Sequence, residues 1–209
     1  MSSQIDALEL KKKVADLCLD GYYSHGDEQY PIWNHWGLYL DRSATGLVID
    51  KLAQSLDELA GQYDIVCPLP TSGFPIAGML FARCEAQVLA SFHWKDARMH
   101  AEDELLKICS GMSRPVRVCA IDSVVHTGTS LFLANAMIER RLNGTIVSLL
   151  AIADNDLVSS DLVDPIKKQF AKDDKLRTLF SVSDLERVWR GRREDIVQRR
   201  TSTPVVATR

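Results

Sequence analysis

One segment, VRVCAIDSVVHTGTS from Val116 to Ser130, restricts the fold of this chain more than any other. It starts as a largely apolar run with β-branched residues and passes through an acid into a short loop of Thr, Gly and Ser. Such a run predicts a strand buried on both faces, and such strands belong to parallel sheets covered by helices. We predict a buried strand that ends at Asp122, a tight turn at Gly128 and a helix over about 129–142.

This order of strand, acid, small polar loop and helix fits a bound phosphate group. The hydroxyls of Thr127, Thr129 and Ser130, with the unpaired N–H groups of the first helical turn, would hold the anion. The carboxylate of Asp122 would lie where ribose hydroxyls or a magnesium ion bind. Many α/β proteins join a strand to a helix through an Asp and a glycine turn, so the loop alone also fits an ordinary structural connection.

The rest of the chain alternates predicted strands with predicted helices. This alternation predicts an α/β fold, with a mostly parallel sheet flanked by helices. Ligands of such sheets gather at the carboxyl ends of the strands. We predict strands over 63–69, 87–93, 116–122, 145–152 and 176–182, helices over 2–19, 46–61, 75–84, 129–142, 162–170 and 183–189, and a loop or irregular hairpin over 22–36.

Length and composition predict one soluble domain with a tail. A chain of 209 residues that is 46% hydrophobic can bury one sizeable core, which we assign to residues 1–190, and we expect the Arg-rich tail 191–209 to be disordered. A net charge of −3 argues against nucleic acid as a partner. The charged N-terminus and the absence of an 18-residue apolar stretch predict a cytoplasmic protein without a membrane partner. Five cysteines without CxxC spacing predict reduced thiols.

A second segment, PLPTSGFPIAG from Pro68 to Gly78, follows a predicted strand. Thr71, Ser72 and Gly73 form a small polar turn whose backbone amides could bind a diphosphate, and a proline two residues later fits the first turn of a helix. An ordinary strand-to-helix connection would have a similar composition.

A third segment, FHWKDARMHA from Phe92 to Ala101, opens a stretch of about twenty residues that reaches Arg114 without clear strand character. A long irregular insertion of this kind predicts a mobile functional loop. Lys95, Arg98 and His100 could close over a diphosphate leaving group and neutralise its developing charge. A solvated charged loop is the alternative.

In this order the three segments resemble the type I phosphoribosyltransferases, and orotate phosphoribosyltransferases most closely, over most of residues 10–190. The first segment resembles their loop for phosphoribosyl diphosphate (PRPP): four apolar residues, two acids, two apolar residues and Thr-Thr-Gly-Thr. Ser123 replaces the second acid and His126 the first Thr. The second segment keeps a Gly-x-Pro-x-Ala pattern, with Ser72 in place of a Lys. The third keeps the order of their catalytic loop, with Trp94 in place of an Arg.

The resemblance implies an enzyme that joins a nitrogenous base, nominally orotate, to PRPP and releases diphosphate. Magnesium would enter with PRPP, without direct protein ligands. The enzyme would be a homodimer in which the loop of one subunit reaches the active site of the other. The implied catalytic residues are Lys95, Arg98, His100 and Asp122, and the implied PRPP-binding residues are Thr71, Ser72, Gly73, Asp122, Ser123, His126, Thr127, Gly128, Thr129 and Ser130.

The base site departs most from the family pattern. An N-terminal hood, over about 10–40, would carry Trp33 and Asn34 where the family has two aromatic residues, although core or interface packing explains Trp33 equally well. Asp154 stands where an arginine would meet the carboxylate of orotate, and it would repel that group. Two alternatives therefore stay open: a transferase for a different base, and a regulatory protein that binds PRPP or a nucleotide with a degenerate active site.

Overall fold

The computed structural model describes residues 7–25, 28–70, 72–83, 91–93, 98–100, 106–107 and 109–190. In chain order its main elements are α1 (Ala7–Cys18), β1 (Leu19–His25), β2 (Glu28–Trp33), α2 (His35–Tyr39), α3 (Arg42–Glu58), β3 (Ile65–Pro68), α4 (Gly73–Phe81), β4 (Ser91–His93), β5 (Arg98–His100), β6 (Val116–Val125), α5 (Thr129–Leu142), β7 (Gly144–Asp154), α6 (Pro165–Lys172), β8 (Leu176–Ser181) and α7 (182–190).

A parallel sheet forms the centre of the molecule, with strand order β3-β6-β7-β8. Side chains alternate between the faces of β6, so Cys119 and Ile121 join one apolar cluster while Val118 and Ala120 join another. The first cluster packs α1, α3 and α4 against the sheet, and the second packs α5 and α6 against it. The predicted α/β fold, a mostly parallel sheet with helices on both faces, is confirmed.

The helix after the glycine loop begins and ends where the sequence predicts. Gly128, with φ of 91°, precedes its first residue, and Asn143, with φ of 48°, follows its last one. Left-handed backbone at the residue after a helix is a common way to end it. The prediction of a helix over 129–142 is confirmed.

Two of the predicted boundaries differ from the structure for identifiable reasons, a local cap in one case and pairing with another strand in the other. The helix predicted over 46–61 begins at Arg42, because the carboxylate of Asp41 accepts hydrogen bonds from the first-turn amides of Ser43 and Ala44 at 3.0 and 2.9 Å. The strand predicted to end at Asp122 continues to Val125, since β7 goes on pairing with it. Asp122 therefore lies inside the strand and not at its end.

Two antiparallel ribbons lie outside the parallel sheet. The first joins β1 to β2, with an irregularity between Leu19 and Tyr22, which agrees with the predicted irregular hairpin. The second pairs β4 with β5. The final residues of the strand predicted over 87–93 thus join a ribbon and not the sheet, and the predicted loop contains a strand at 98–100. Several parts of the chain lie outside the described residues: 84–90, the loop positions 94–97, 101–105 and 108, and the tail 191–209.

No helix in the described ranges combines the length and apolar character needed to cross a membrane. Cys18, Cys67, Cys109 and Cys119 are buried free thiols, as the cysteine spacing predicted for these four.

Candidate functional site

A small pocket opens at the carboxyl end of β6, where the strand turns into α5. Its polar wall comes from Asp122 and from the loop and first helical turn, His126 to Ser130. Apolar side chains close the rest of the wall: Leu69, Val124, Val125, Leu131 and Leu149. The structure thus brings together the residues that the sequence assigned to phosphate binding in this segment.

Gly128 gives the loop its shape. Its φ of 91° favours glycine, and a Cβ there would lie 2.7 Å from the Cβ of Lys167 on α6. Gly128 has no side chain to cap the helix that follows, and the Thr127 hydroxyl accepts only one long hydrogen bond from the N–H of Thr129, at 3.4 Å. The amides of its first turn therefore have no partner within the helix, which is the usual setting for an anion at a helix N-terminus.

The start of α6 holds three successive carbonyls of the loop. The ammonium of Lys167 donates to the carbonyl oxygens of Val125 at 3.2 Å and His126 at 2.6 Å. The backbone N–H of Asp164 donates to the carbonyl of Thr127 at 2.8 Å. In a trans peptide the C=O and the following N–H point in opposite directions. The amides after these carbonyls therefore point away from α6.

These amides form one side of an anion site. Within the ranges that the structure describes, the N–H groups of Thr127 and Gly128 donate to no protein group. The hydroxyls of Thr127 and Thr129 lie 2.9 Å apart at the mouth of the same loop. Successive free amides beside hydroxyls make a concave surface that binds anions such as phosphate.

Asp122 is the carboxylate of this pocket. It is only 7% exposed, and it accepts hydrogen bonds from the Ser72 hydroxyl and, at 2.7 Å, from the backbone N–H of Ser123. Burial raises its pKa to about 6, although the two hydrogen bonds act in the opposite direction. In the described part of the chain no cation pairs with it. A buried carboxylate without a cation is a candidate partner for sugar hydroxyls or a ligand-bound metal.

The hydrogen bond from Ser72 joins the second sequence motif to the first. Gly73 begins α4, and a Cβ on it would overlap the carbonyl oxygen of Ile121 in β6. Glycine therefore lets the start of α4 approach the strand closely enough for Ser72 to reach Asp122. Thr71 lies outside the described residues.

Comparison with known proteins gives similarity at the level of structure. No protein-family model and no curated protein sequence matches this chain. The structure is similar to orotate phosphoribosyltransferase from Aeropyrum pernix, with 20% identity over 86% of this chain and 95% of that one, at a TM-score of 0.59. This chain has the type I phosphoribosyltransferase fold. Orotate phosphoribosyltransferase of Mycobacterium tuberculosis H37Rv in complex with PRPP is also similar (17% identity, 87% and 99% of the two chains, TM-score 0.57).

Other proteins with the phosphoribosyltransferase fold resemble the chain to a comparable degree. Adenine phosphoribosyltransferase from Leishmania donovani matches with 13% identity over 84% of this chain and 80% of that one, at a TM-score of 0.60. UMP synthase from the same organism matches 90% of this chain but only 39% of its own, with 21% identity and a TM-score of 0.62. Enzymes named for different bases, orotate and adenine, therefore share this architecture.

The residues predicted to bind the base do not gather at the β6 pocket. Asn34 caps α2, where its side chain accepts a hydrogen bond from the amide of Trp36 at 3.1 Å. Trp33 is half-buried and packs against the first apolar cluster. Asp154 forms an ion pair with Lys167 at 2.6 Å. The charge of Asp154 is thus compensated, so the repulsion expected from its sequence position is weakened.

The structure does not place four other predicted site residues in the β6 pocket. Ser123 is fully buried, its hydroxyl has no partner among the described residues, and it does not line the pocket. Arg98 and His100 lie on β5, for which the structure describes the backbone, and Lys95 lies outside the described residues.

His126 is held by a contact that sequence reasoning missed. Its Nδ1 lies 2.9 Å from the side-chain nitrogen of Asn155, whose oxygen accepts from the amide of Leu157 at 3.3 Å. With this amide orientation Nδ1 is the acceptor, so the ring proton is on Nε2. Burial, followed by the charge of Lys167, lowers the pKa of His126. The ring is therefore neutral at physiological pH and offers a donor, not a positive charge.

Sequence reasoning also missed Lys167. A lysine in a short charged helix gives no sequence signal of burial, since lysine is almost always exposed. Its spacing from Phe170, the other buried residue of α6, is the single hint, because residues three apart share a helix face.

Proposed function

We propose that this protein is a phosphoribosyltransferase, which transfers the ribose 5-phosphate of PRPP to a nitrogenous base and releases diphosphate. One observation carries the proposal: free loop amides, threonine hydroxyls and a buried carboxylate without a cation line a single pocket at the carboxyl end of the central strand. A sugar phosphate presents an anion and neighbouring hydroxyls, which match these two kinds of group.

In the proposed complex the residues Thr127 to Ser130 bind the 5-phosphate through amides and hydroxyls, and Asp122 accepts hydrogen bonds from ribose hydroxyls. The turn at Ser72 and Gly73, with Thr71, would meet the diphosphate. A ring nitrogen of the base attacks the ribose C1 and forms the new C–N bond, while the C1–O bond to diphosphate breaks and takes its electron pair to the leaving group. Positioning and charge stabilisation supply the catalysis, without a covalent nucleophile.

Further groups would stabilise the departing diphosphate. Lys95, Arg98 and His100 would place positive charge or hydrogen-bond donors on it, contributed by the second subunit of a homodimer. Magnesium bound to PRPP oxygens would supply additional positive charge, since hard oxygen ligands and few protein carboxylates are its usual environment. Sedimentation of a monomer at micromolar concentration would contradict the shared-loop arrangement.

Orotate is the nominal acceptor in this proposal, because the order of residues in the third segment resembles orotate phosphoribosyltransferases. The ion pair of Asp154 with Lys167 removes one objection to a base that carries a carboxylate. A base without a carboxylate is the second candidate acceptor, since none of Trp33, Asn34 and Asp154 offers a positive charge.

A binding protein without turnover is the second candidate function. Ser123 is buried and uncharged, which leaves Asp122 as the one carboxylate lining the pocket of the described residues. Ser72 supplies a hydroxyl where a cation would serve a diphosphate. Such a site could hold PRPP or a nucleotide and act as a regulator.

Calorimetric titration with PRPP and magnesium, followed by diphosphate release with a panel of bases that includes orotate and adenine, tests both functions. Binding with release on one base is the result expected for a transferase. Binding without release on any base would favour the regulator, and no binding would remove both. Asp122→Ala and Lys95→Ala should each reduce turnover, whereas Asp57→Asn, at an exposed position on α3, should not.

A further inference from the structure

We infer that Lys167 is a positioning residue of the anion loop, fixing from behind the backbone that would bind the 5-phosphate. This inference rests on the proposed function, because it gives the loop its anion. Lys167 touches neither the pocket nor a reacting atom, so any effect it has on binding must pass through the loop.

The buried ammonium of Lys167 is both paired with a carboxylate and hydrogen-bonded to carbonyls. Lys167 is 5% exposed, and its Nζ lies 2.6 Å from the carboxylate of Asp154 and 3.1 Å from the carbonyl oxygen of Asn155. It also donates to the carbonyls of Val125 and His126. Burial of an ammonium group is costly unless it is paired and hydrogen-bonded, and Lys167 meets both conditions.

Two of these carbonyls lie where β6 passes into the loop. Val125 ends β6 and His126 begins the loop, so the ammonium ties down the two peptide groups that lead into Gly128. Asp164, three residues before the lysine, binds the carbonyl of Thr127 and also caps α6 by accepting from the amide of Ile166 at 2.9 Å. One helix start therefore holds three consecutive carbonyls.

The consequence is a fixed direction for the amides. With these carbonyls turned toward α6, the N–H groups of Thr127 and Gly128 face the opposite side of the loop. Without the ammonium, the peptides between Val125 and Thr127 would lose their common partner and could rotate. The amides would then have to be ordered by the ligand itself, and that ordering would weaken binding.

Charge alone does not explain the arrangement. Asp154 compensates the ammonium at 2.6 Å, so the pair presents little net charge to a phosphate beyond the loop. Hydrogen bonds to carbonyls, and not attraction across the loop, are therefore the means by which Lys167 acts. This distinction separates the positioning role from a simple ion pair that only holds two elements together.

Four variants of the full chain separate these roles: Lys167→Met, Asp154→Asn, the double variant Lys167→Met/Asp154→Asn, and Lys168→Met as control. The double variant has no unpaired buried carboxylate, so it guards against loss of folding. Lys168 is the adjacent exposed lysine, which donates to the carbonyl of Ser160 and not to the loop.

Titration with inorganic phosphate and with PRPP, followed by ¹⁵N NMR of the loop amides, is the measurement. Lys167→Met and the double variant should bind both probes roughly tenfold more weakly, because the ligand must then order loop peptides that the ammonium no longer holds. Their amide signals for His126 and Thr127 should shift, because the carbonyls of these two peptide groups lose the ammonium. Lys168→Met should stay close to wild type, and Asp154→Asn should bind both probes more tightly than Lys167→Met, because it retains the ammonium–carbonyl contacts although the buried ammonium loses its carboxylate.

The outcomes separate this inference from the proposed function. If wild type binds phosphate and PRPP, and the folded double variant binds them equally well, Lys167 is structural and the inference is wrong while the proposed function stands. If Asp154→Asn weakens binding as much as Lys167→Met, the ion pair and not the carbonyl contacts is responsible, which also overturns it. If wild type binds neither probe, the proposed function fails, and the inference with it.

Discussion

Replacement of Asp122 by asparagine should make the protein more stable at neutral pH while it removes PRPP binding. Burial raises the pKa of this carboxyl from 3.8 to about 6, against the opposing hydrogen bonds from Ser72 and Ser123. Each pKa unit corresponds to about 1.4 kcal/mol. The free energy of unfolding therefore carries a contribution of roughly 3 kcal/mol that depends on the protonation of Asp122.

The sign follows from which state binds the proton more tightly. The folded protein does so, because its carboxyl has the higher pKa. The stabilising contribution is complete below pH 3.8 and is lost as the pH rises through about 6. Above that pH the wild type keeps an ionised carboxylate in a buried place, which an asparagine avoids. The free energy of unfolding of Asp122→Asn should therefore rise relative to wild type by roughly 3 kcal/mol across this interval.

Urea unfolding of both proteins, followed by tryptophan fluorescence at several values between about pH 4 and about pH 7, measures this difference. The other titrating groups contribute equally to both proteins and cancel. Asp57→Asn, the same chemical change at an exposed position on α3, should show no trend of this size. A difference between wild type and Asp122→Asn that stays constant with pH would refute the assignment of Asp122 as a buried, destabilising carboxylate. Such a carboxylate would be an example of stability given up for function.

Two pairs of glycine variants test the backbone of the site. Gly128→Ala should lower the free energy of unfolding by more than Gly61→Ala, because both glycines have positive φ (91° and 78°) but only the first would also bring a Cβ to 2.7 Å from the buried lysine of α6. Chemical denaturation should give a cost of roughly 1–3 kcal/mol for the backbone strain at either position. Equal losses in the two variants would contradict the close contact. Gly73→Ala should destabilise the fold and weaken PRPP binding, because its Cβ would clash with a β6 carbonyl. Gly78→Ala lies in the same helix with open space around it and should be neutral or stabilising by up to about 1 kcal/mol. Calorimetric titration and thermal melts measure both effects, and equal results for the two variants would contradict the predicted clash.

The sequence alone was sufficient to predict the α/β fold and the amides and hydroxyls that the loop offers to an anion. The apolar run before Asp122 and the change to helical periodicity at Thr129 depend on neighbours in the chain, so the α5 helix was predicted at its true ends. Boundaries set by contacts between distant segments were missed. β6 continues past Asp122 because β7 pairs with it, and that pairing leaves no mark in the residues themselves.

Long-range contacts also decided what surrounds the site. The sequence marked Asp122 and Ser72 separately, but folding brings them together across 50 residues and raises the pKa of the carboxyl. The sequence read Asp154 as a charge opposing a carboxylated base, whereas the fold pairs it with Lys167.

Chain order, periodicity and turn residues thus determined the sheet, the helices and the amides and hydroxyls available for an anion, because each depends on residues a few positions apart. Tertiary structure alone decided which charges are buried, which are compensated and which way the loop peptides face. These properties depend on solvent exclusion and on partners outside the local segment, such as Lys167, which lies 42 and 41 residues from the two carbonyls that it binds, those of Val125 and His126.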